Sequence, residues 1–446
     1  MSRLLLPTLI TLLCGIGLSA CNDDSSATSP TIEPLMAAAE TANESSPADM
    51  DDPAVWLHPT DRSKSLIVAA AKLGGLRVYD LNAQLITRLP AATDATGKIV
   101  NRFNNVDVQY DFNLNGTRVD LVVASDRLQD KLRIWKINPQ NLTQPLVDIT
   151  SPSISRNFPQ KTDKNDRQLM VDNPNNGKNT SYGLALYRDQ AQDRLYAVVN
   201  QNNEAILSQF ELVAQADGTV STTPVKTFKF PYVYQGQDLT QEDDNDPAKD
   251  FSPQFEGMAV DQQTGVLYAA NEDVGLFRVN LKTGVAETTP FYDTVAFDST
   301  SKLARDAEGV SIYYGKNGTG YLVVSSQGNG HGEAPNHPNA ALDDTFAVFD
   351  RAGTQAYLGS FSILANPNKN IDAVQECDGA DIINVSLPNY PFGLMITQDG
   401  YNDDLHQMDG SVAATNLKLV PWERIAYNFP KGQLMVDTSS YNPRQP

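Results

Sequence analysis

The sequence predicts an all-β fold, a six-bladed β-propeller, and three observations carry that expectation. A β-rich run ending in small or polar residues recurs six times, a second β-rich run follows closely in five of the six cases, and long stretches of helical period are missing. The first runs are 66–72 (LIVAAAK), 119–127 (VDLVVASDR), 194–200 (RLYAVVN), 266–272 (VLYAANE), 320–328 (GYLVVSSQG) and 392–400 (FGLMITQDG). Their partners are LRVYDL from Leu76, LRIWKI from Leu132, ILSQFEL from Ile206, GLFRVNL from Gly275 and FAVFDR from Phe346. Each pair reads as a hairpin. Successive copies begin about 55 to 75 residues apart, room for a four-stranded sheet with variable loops, as in one propeller blade. The sixth run finds a partner only at 416–425 (NLKLVPWERI), which completes the last blade or helps to close the ring. An irregular pair of β-sandwiches is the plainer alternative, and it leaves the regular spacing unaccounted for.

The rest of the chain organises around that body. Arg3 followed by the apolar run 4–18 reads as an export leader, and Leu18-Ser19-Ala20-Cys21 resembles a bacterial lipobox, which makes Cys21 a lipid-bearing anchor in the cell envelope. An ordinary signal peptide cleaved near Ala20, giving a secreted protein, is the alternative. Residues 22–50 are rich in Ser, Thr, Ala and acids and are expected to be a tether, leaving 51–446 as a single domain. Of the cysteines that outlast processing, Cys377 lacks the Arg spacing of a thiol phosphatase and is expected to be a small buried filler. The polar inserts 155–180, 236–249 and 328–343 read as loops between blades; Asp243, Asp244 and Asp246 in the second lack the Gly and final Glu of an EF-hand and read as a solvated surface.

A formal charge of −20 argues against a nucleic-acid partner, which needs a basic footprint, and points towards cations. Carboxylates gather at the ends of the repeated strands: Asp51-Asp52, Glu256, Glu272-Asp273, Asp306 with Glu308, and Asp372, Asp378 and Asp381. In a propeller such positions converge on one end of the central channel, where they cannot all stay ionised without cations. Hard oxygen ligands suit calcium, with Asn104, Asn105 and Gln327 as neutral oxygen donors. For any one acid taken alone, a turn or cap role is the simpler reading. Zinc is disfavoured, because His58, His331, His337 and His406 show no HExxH spacing. Lys72 and Arg127 close two of the repeated strands and are candidates for substrate anions, although surface ion pairs would also explain them; Tyr182 either donates a phenolic hydrogen bond or packs.

These motifs resemble the β-propeller phytases, a calcium-dependent alkaline family of bacterial phytate-degrading phosphatases. The resemblance is carried by DDPAVWLHP at 51, NNVDVQYDFNLNG at 104, VASDR at 123, EGMAVD at 256, AEGVSIYY at 307, GYLVVSSQGN at 320, YPFGLMITQDG at 390 and LVPWERIA at 419. It implies several calcium ions held by Asp52, Asn104, Glu256, Glu272, Asp306, Glu308, Asp372 and Asp378, with Lys72, Arg127 and Tyr182 as phosphate contacts. Lys72, Arg127, Tyr182 and Glu256 form the implied catalytic set, and Glu40 is a further acid matched less closely. Where the family usually offers a second lysine, this chain has Gln201-Asn202-Asn203, so one substrate phosphate loses a charged partner. The implied substrate is phytate or another inositol polyphosphate as its calcium complex, taken by a monomer and hydrolysed by an activated water. No RHG, Cys-x5-Arg or P-loop motif offers another route. A non-catalytic calcium-binding surface propeller for a polyanion or protein partner, and a lactonase-like propeller hydrolase, are the alternatives.

Overall fold

A computed structural model describes residues 33–158, 179–241, 246, 249–328, 339–402 and 414–445. Cys21 and the leader, Asp243 and Asp244, His331, His337 and His406, and most of the inserts 155–180 and 328–343 lie outside the described residues.

The six repeated runs pair as expected and become the second and third strands of six antiparallel sheets. Leu66–Ala70 pairs with Leu76–Asp80, Thr117–Asp126 with Lys131–Ile137, Arg194–Gln201 with Ile206–Ala214, and Val266–Asn271 with Gly275–Asn280. Gly320–Ser326 pairs with Thr345–Asp350, and Leu394–Asp399 with Asn416–Pro421, after which Trp422–Asn428 turns into a helix. The second strands are rich in apolar residues because blades cover both faces. Leu66, Ile67, Val68, Ala69 and Ala70 are all buried, and the larger side chains of Leu66, Ile67 and Val68 each contribute about 1.5–3 kcal/mol by leaving water.

The innermost strands are Pro53–Trp56, Phe103–Leu114, Ser181–Asp189, Phe255–Asp261, Ala307–Tyr314 and Ala380–Ile383. Each touches the next around a closed ring, the last returning to the first, so six blades surround one channel. The ring is fastened by both ends of the chain. Ala39–Glu40 forms the outermost strand of the sixth blade, Ala39 opposite Leu419 and Glu40 opposite Lys418. The segment expected to be tether therefore becomes blade from residue 33 onward. Its Leu35 and Ala37 are buried against Ile363, Val420 and Trp422, so the stretch has apolar area to bury despite its polar composition. At the far end of the channel Tyr441 stacks on Tyr314, and Arg444 is paired with Asp120.

Four inner strands open with the same irregularity. Pairing slips between Phe103 and Val106, Ser181 and Leu184, Phe255 and Met258, and Ala307 and Val310. The bulged dipeptides are Asn104-Asn105, Tyr182-Gly183, Glu256-Gly257 and Glu308-Gly309, and a bulge of this kind turns its side chain out of the pleat. The glycines let neighbouring blades close up: a Cβ on Gly183 would lie 2.0 Å from the Glu256 carbonyl oxygen, and one on Gly257 2.1 Å from that of Glu308. Gly257→Ala should therefore push two blades apart and cost about 1–3 kcal/mol or more, read as a lower urea midpoint. An unchanged midpoint would refute this account of the blade spacing.

Candidate active site

The bulges bring one side chain from each blade to a single mouth of the channel. Asn104, Tyr182, Glu256 and Glu308 come from the bulges, and Asp51 and Asp378 stand two residues before the inner strands of the first and sixth blades. A second tier comes from the ends of the second strands. The backbone N–H groups of Arg127, Asn202, Glu272 and Gln327 donate to the carbonyls of Arg102, Thr180, Gln254 and Asp306, at 2.8, 2.9, 3.3 and 3.3 Å. These four residues thus hold equivalent places in successive blades. Lys72 joins them from the first blade, bridged to Phe103.

Carboxylate oxygens of Glu256, Glu272 and Glu308 lie within 4.8 Å of one another, and all three residues are buried. Asn104 reaches across the mouth and donates from Nδ2 to Glu256 Oε1 at 2.6 Å. Gln254 Nε2 donates to both Glu272 oxygens at 2.7 Å, while its Oε1 accepts from Asn202 Nδ2 at 2.7 Å and from the Asn203 N–H at 2.9 Å. Arg127 lies over the Tyr182 ring at 4.5 Å, donates to Asn104 Oδ1 at 3.2 Å and reaches Asn202 Oδ1 at 3.5 Å. Lys72 Nζ sits 2.9 Å from Asp49, 3.0 Å from Asp378 and 3.5 Å from Asp51; Gln327 donates to the other Asp378 oxygen at 2.6 Å.

Burial and crowding oppose ionisation here. Desolvation, then the charges of Asp306 and Glu256, push Glu272 well above the usual carboxylate range. Desolvation, then Glu256, Asp378 and Asp306, does the same to Glu308. Asp51 is raised by burial and by Asp378, Glu256 and Asp49 even against Lys72, and Asp378 is pushed up to about 6 mainly by burial. Burial works against the Lys72 charge, yet Asp378, Asp49 and Asp51 outweigh it and hold the ammonium on. Both oxygens of Asp51 and Oε2 of Glu308 are buried with no hydrogen-bond partner. Converging carboxylates with orphaned oxygens are a donor set that fits hard divalent cations, which would neutralise the crowding and satisfy the lone pairs.

Two expected ligands are placed differently. Asp52 points away from the mouth into the channel, because adjacent residues of an extended chain face opposite ways. Its Oδ2 accepts from the Val106 N–H at 3.0 Å, and with Asp107 and Asp381 it lines a channel cavity of about 140 Å³. Asp52 still abuts Gly379, next to Asp378, so it stays at the same end of the molecule. The first blade's carboxylate at the mouth is Asp51, whose signal was the Asp doublet itself. Asp372 is not gathered with the glutamates: it pairs with the fully buried Lys418 ammonium at 2.5 Å, beside Asp399, Glu40 and Asn402. Glu40 and Asp372 do meet, but around a lysine where blade six is closed. Lys418→Met would take the ammonium away from the carboxylates of Asp372, Asp399 and Glu40, an expected loss of about 3–5 kcal/mol in unfolding free energy measured by urea titration. A loss under about 1 kcal/mol would show that the cluster is not what fastens the ring.

Asp49, Asp51, Gln254 and Asn202 thus join the site beyond the expected set. Cys377 is buried, its sulfur 2.9 Å from the Thr397 hydroxyl, with burial pushing the thiol up to about 12, as a filler requires.

A six-bladed propeller that presents buried carboxylates beside paired basic side chains at one channel mouth is built to hold cations and an anionic substrate together. The phytase family pattern matches residues 2–445, and a curated 3-phytase of Bacillus subtilis (strain 168) is 30% identical over 396 residues, covering 89% of this chain and 84% of that protein. The chain belongs to the phytase family and is a hydrolase of phosphate monoesters. Among solved structures it is similar to a chain of a mitotic checkpoint complex (TM-score 0.41, 9% identity, 93% of this chain and 99% of that one). It is also similar to BBS1N in complex with ARL6DN (TM-score 0.39, 10% identity, 83% and 78%).

Proposed function

We propose that this protein is a calcium-dependent phytase, releasing phosphate from myo-inositol hexakisphosphate by direct attack of water. The observation that carries the reading is the meeting of Glu256, Glu272 and Glu308 oxygens within 4.8 Å, beside Lys72 and Arg127. Glu256, Glu272, Glu308, Asp306, Asp51 and Asp378 would hold the ions at the mouth, and Asp52 one in the channel. Calcium bound there supplies positive charge against the phosphoryl oxygens and acidifies water.

The chain's own groups do the rest. Asn104 fixes the rotamer of Glu256, and Gln254 fixes that of Glu272. Arg127, held over the Tyr182 ring, presents a planar fork to a phosphate, a geometry that a point charge does not offer. Lys72 remains charged in its nest of aspartates and brings an ammonium to the same anion. Burial, followed by Glu256 and Glu272, holds the Tyr182 hydroxyl well above its ordinary value, so it donates a hydrogen bond and does not act as a base. No described cysteine is exposed to act as nucleophile.

The test is phosphate release from phytate with calcium and then with excess EGTA. Loss of release on chelation, reversed by added calcium, is the expected result; release unaffected by full chelation would refute the metal-dependent mechanism.

A further inference from the structure

The second strand of the third blade carries a fully buried amide, Asn200, two residues before Asn202 and outside the site as so far described. Its Oδ1 accepts the N–H of Gly183 at 2.5 Å, and its Nδ2 donates to the carbonyl of Phe255. Gly183 is the second residue of the third blade's bulge and follows Tyr182; Phe255 immediately precedes Glu256 in the fourth blade's bulge. One side chain thus bonds the backbone beside two residues of the mouth, on two different blades.

The second blade repeats the device with a different residue. Ser125 stands two before Arg127, as Asn200 stands two before Asn202, and it too is fully buried. Its hydroxyl accepts the N–H of Asn105, the second residue of that blade's bulge, at 3.2 Å and donates to the carbonyl of Tyr182. Ser125 and Asn200 therefore link three successive bulges, and the outer two meet in the bond from Asn104 to Glu256. In the fifth blade Ser325 holds the same place and donates at 2.7 Å to the carbonyl of Cys377, next to Asp378. A bulge leaves backbone groups outside the strand ladder, so the direction of its side chain is only as fixed as the partners those groups find. Cohesion of the third and fourth blades does not rest on Asn200 alone. At their far end Gln262 Nε2 donates to the Leu186 carbonyl at 2.8 Å, and its Oε1 accepts the Arg188 N–H at 3.0 Å.

We propose that Asn200 is a positioning residue for the metal-binding carboxylates: by clamping two bulges to one amide, it sets Glu256 against Asn104 and holds Tyr182 under Arg127. The inference rests on the calcium-dependent phytase reading above.

The test compares the full chain with Asn200→Ala, Asn200→Ser and, as a control at the far end of the same two blades, Gln262→Ala. Calcium binding is measured by calorimetry, phosphate release from phytate at saturating calcium by steady-state kinetics, and each variant is melted. Asn200→Ala should weaken calcium binding and lower kcat, each by about ten- to a hundredfold, the scale of losing a group that orients metal ligands. Asn200→Ser, which supplies the hydroxyl that Ser125 uses at this place, should recover most of both losses. Gln262→Ala should lower the melting temperature as Asn200→Ala does, yet keep wild-type calcium binding and kcat. Should Asn200→Ala not fold, Asn200→Cys, close to serine in size but a weak hydrogen-bonding group, takes its place. Wild-type binding and kcat in Asn200→Ala, equal losses in Gln262→Ala, or a well-folded Asn200→Ser that recovers neither quantity overturns the positioning role. A wild type whose calcium binding is weakened by Asn200→Ala, but which releases no phosphate from phytate, would instead overturn the phosphatase reading and leave that role standing.

Discussion

Arg127→Ala is expected to lower kcat/KM for phosphate release from phytate by about a hundred- to a thousandfold, the scale of losing one donor aimed at developing charge. The fold should survive. Among the described contacts the guanidinium donates to the amide oxygens of Asn104 and Asn202 and lies over the Tyr182 ring, and the melting curve of the variant reads whether the fold is kept. Arg127→Lys should recover only part of the rate, because an ammonium cannot offer two parallel N–H bonds. Steady-state kinetics with a melting curve on each variant checks both points. Activity that survives Arg127→Ala would favour a propeller hydrolase acting on uncharged substrates, the lactonase-like alternative.

The second large effect concerns pH and metal together. Asp51, Glu272 and Glu308 have carboxyl pKa values raised well above the ordinary range by burial and by one another, and Asp378 is raised to about 6. In the channel Asp107 is pushed to about 7 and Asp381 to about 6, again chiefly by burial. A carboxyl whose pKa is higher folded than unfolded binds more protons in the folded state between the two values. Stability is then full below the unfolded value, about 4, and is lost as pH rises through the folded one. The metal-free protein should accordingly melt at a lower temperature at pH 8 than at pH 5. Calcium must displace those protons, so it binds more tightly at high pH and releases protons on binding. At a hundredfold excess over Kd each site adds about 2.7 kcal/mol, and the difference in melting temperature between pH 8 and pH 5 should shrink or reverse. Calorimetric melts at both pH values, with calcium and with EGTA, measure this directly. A metal-free protein that gains stability from pH 5 to pH 8 would contradict the assigned burial of these acids.

The parts of the fold legible in the sequence were those whose physics leaves a continuous trace. The second strand of each blade lies between neighbours that cover both faces, so it reads as an apolar run, unbroken in Leu66–Ala70 and closing on polar residues in Leu394–Asp399. The inner strands were hidden because a bulge and a polar residue interrupt them at the point where they matter: Glu256-Gly257 and Glu308-Gly309 look like turns. The outer strands were hidden by exposure, as in Leu85–Leu89 and Val220–Lys229. Ala39–Glu40 was missed because two residues joined by backbone hydrogen bonds leave no side-chain pattern.

The site divides along the same line. Glu256, Glu272, Asp306, Glu308 and Asp378 were singled out because strand-end acids recur with the blade, and the fold brings Glu256, Glu272 and Glu308 together. The choice between Asp51 and Asp52 depends on which of two adjacent side chains faces the mouth, and composition carries no information about that. Asp372 pairs with Lys418, and a lysine set between leucines in NLKLVP gave no sign of being an internal cation. Asn202 stood out as a departure from the family pattern, but its link through Gln254 to Glu272 exists only in three dimensions.

The most direct test of the central claim is anomalous diffraction from crystals soaked in calcium with myo-inositol hexakissulfate. The account predicts calcium peaks about 2.3–2.6 Å from oxygens of Glu256, Glu272 and Glu308, with a sulfate bridging those ions to Arg127. Calcium found only at surface carboxylates, with the glutamates protonated and bonded to one another, would contradict it.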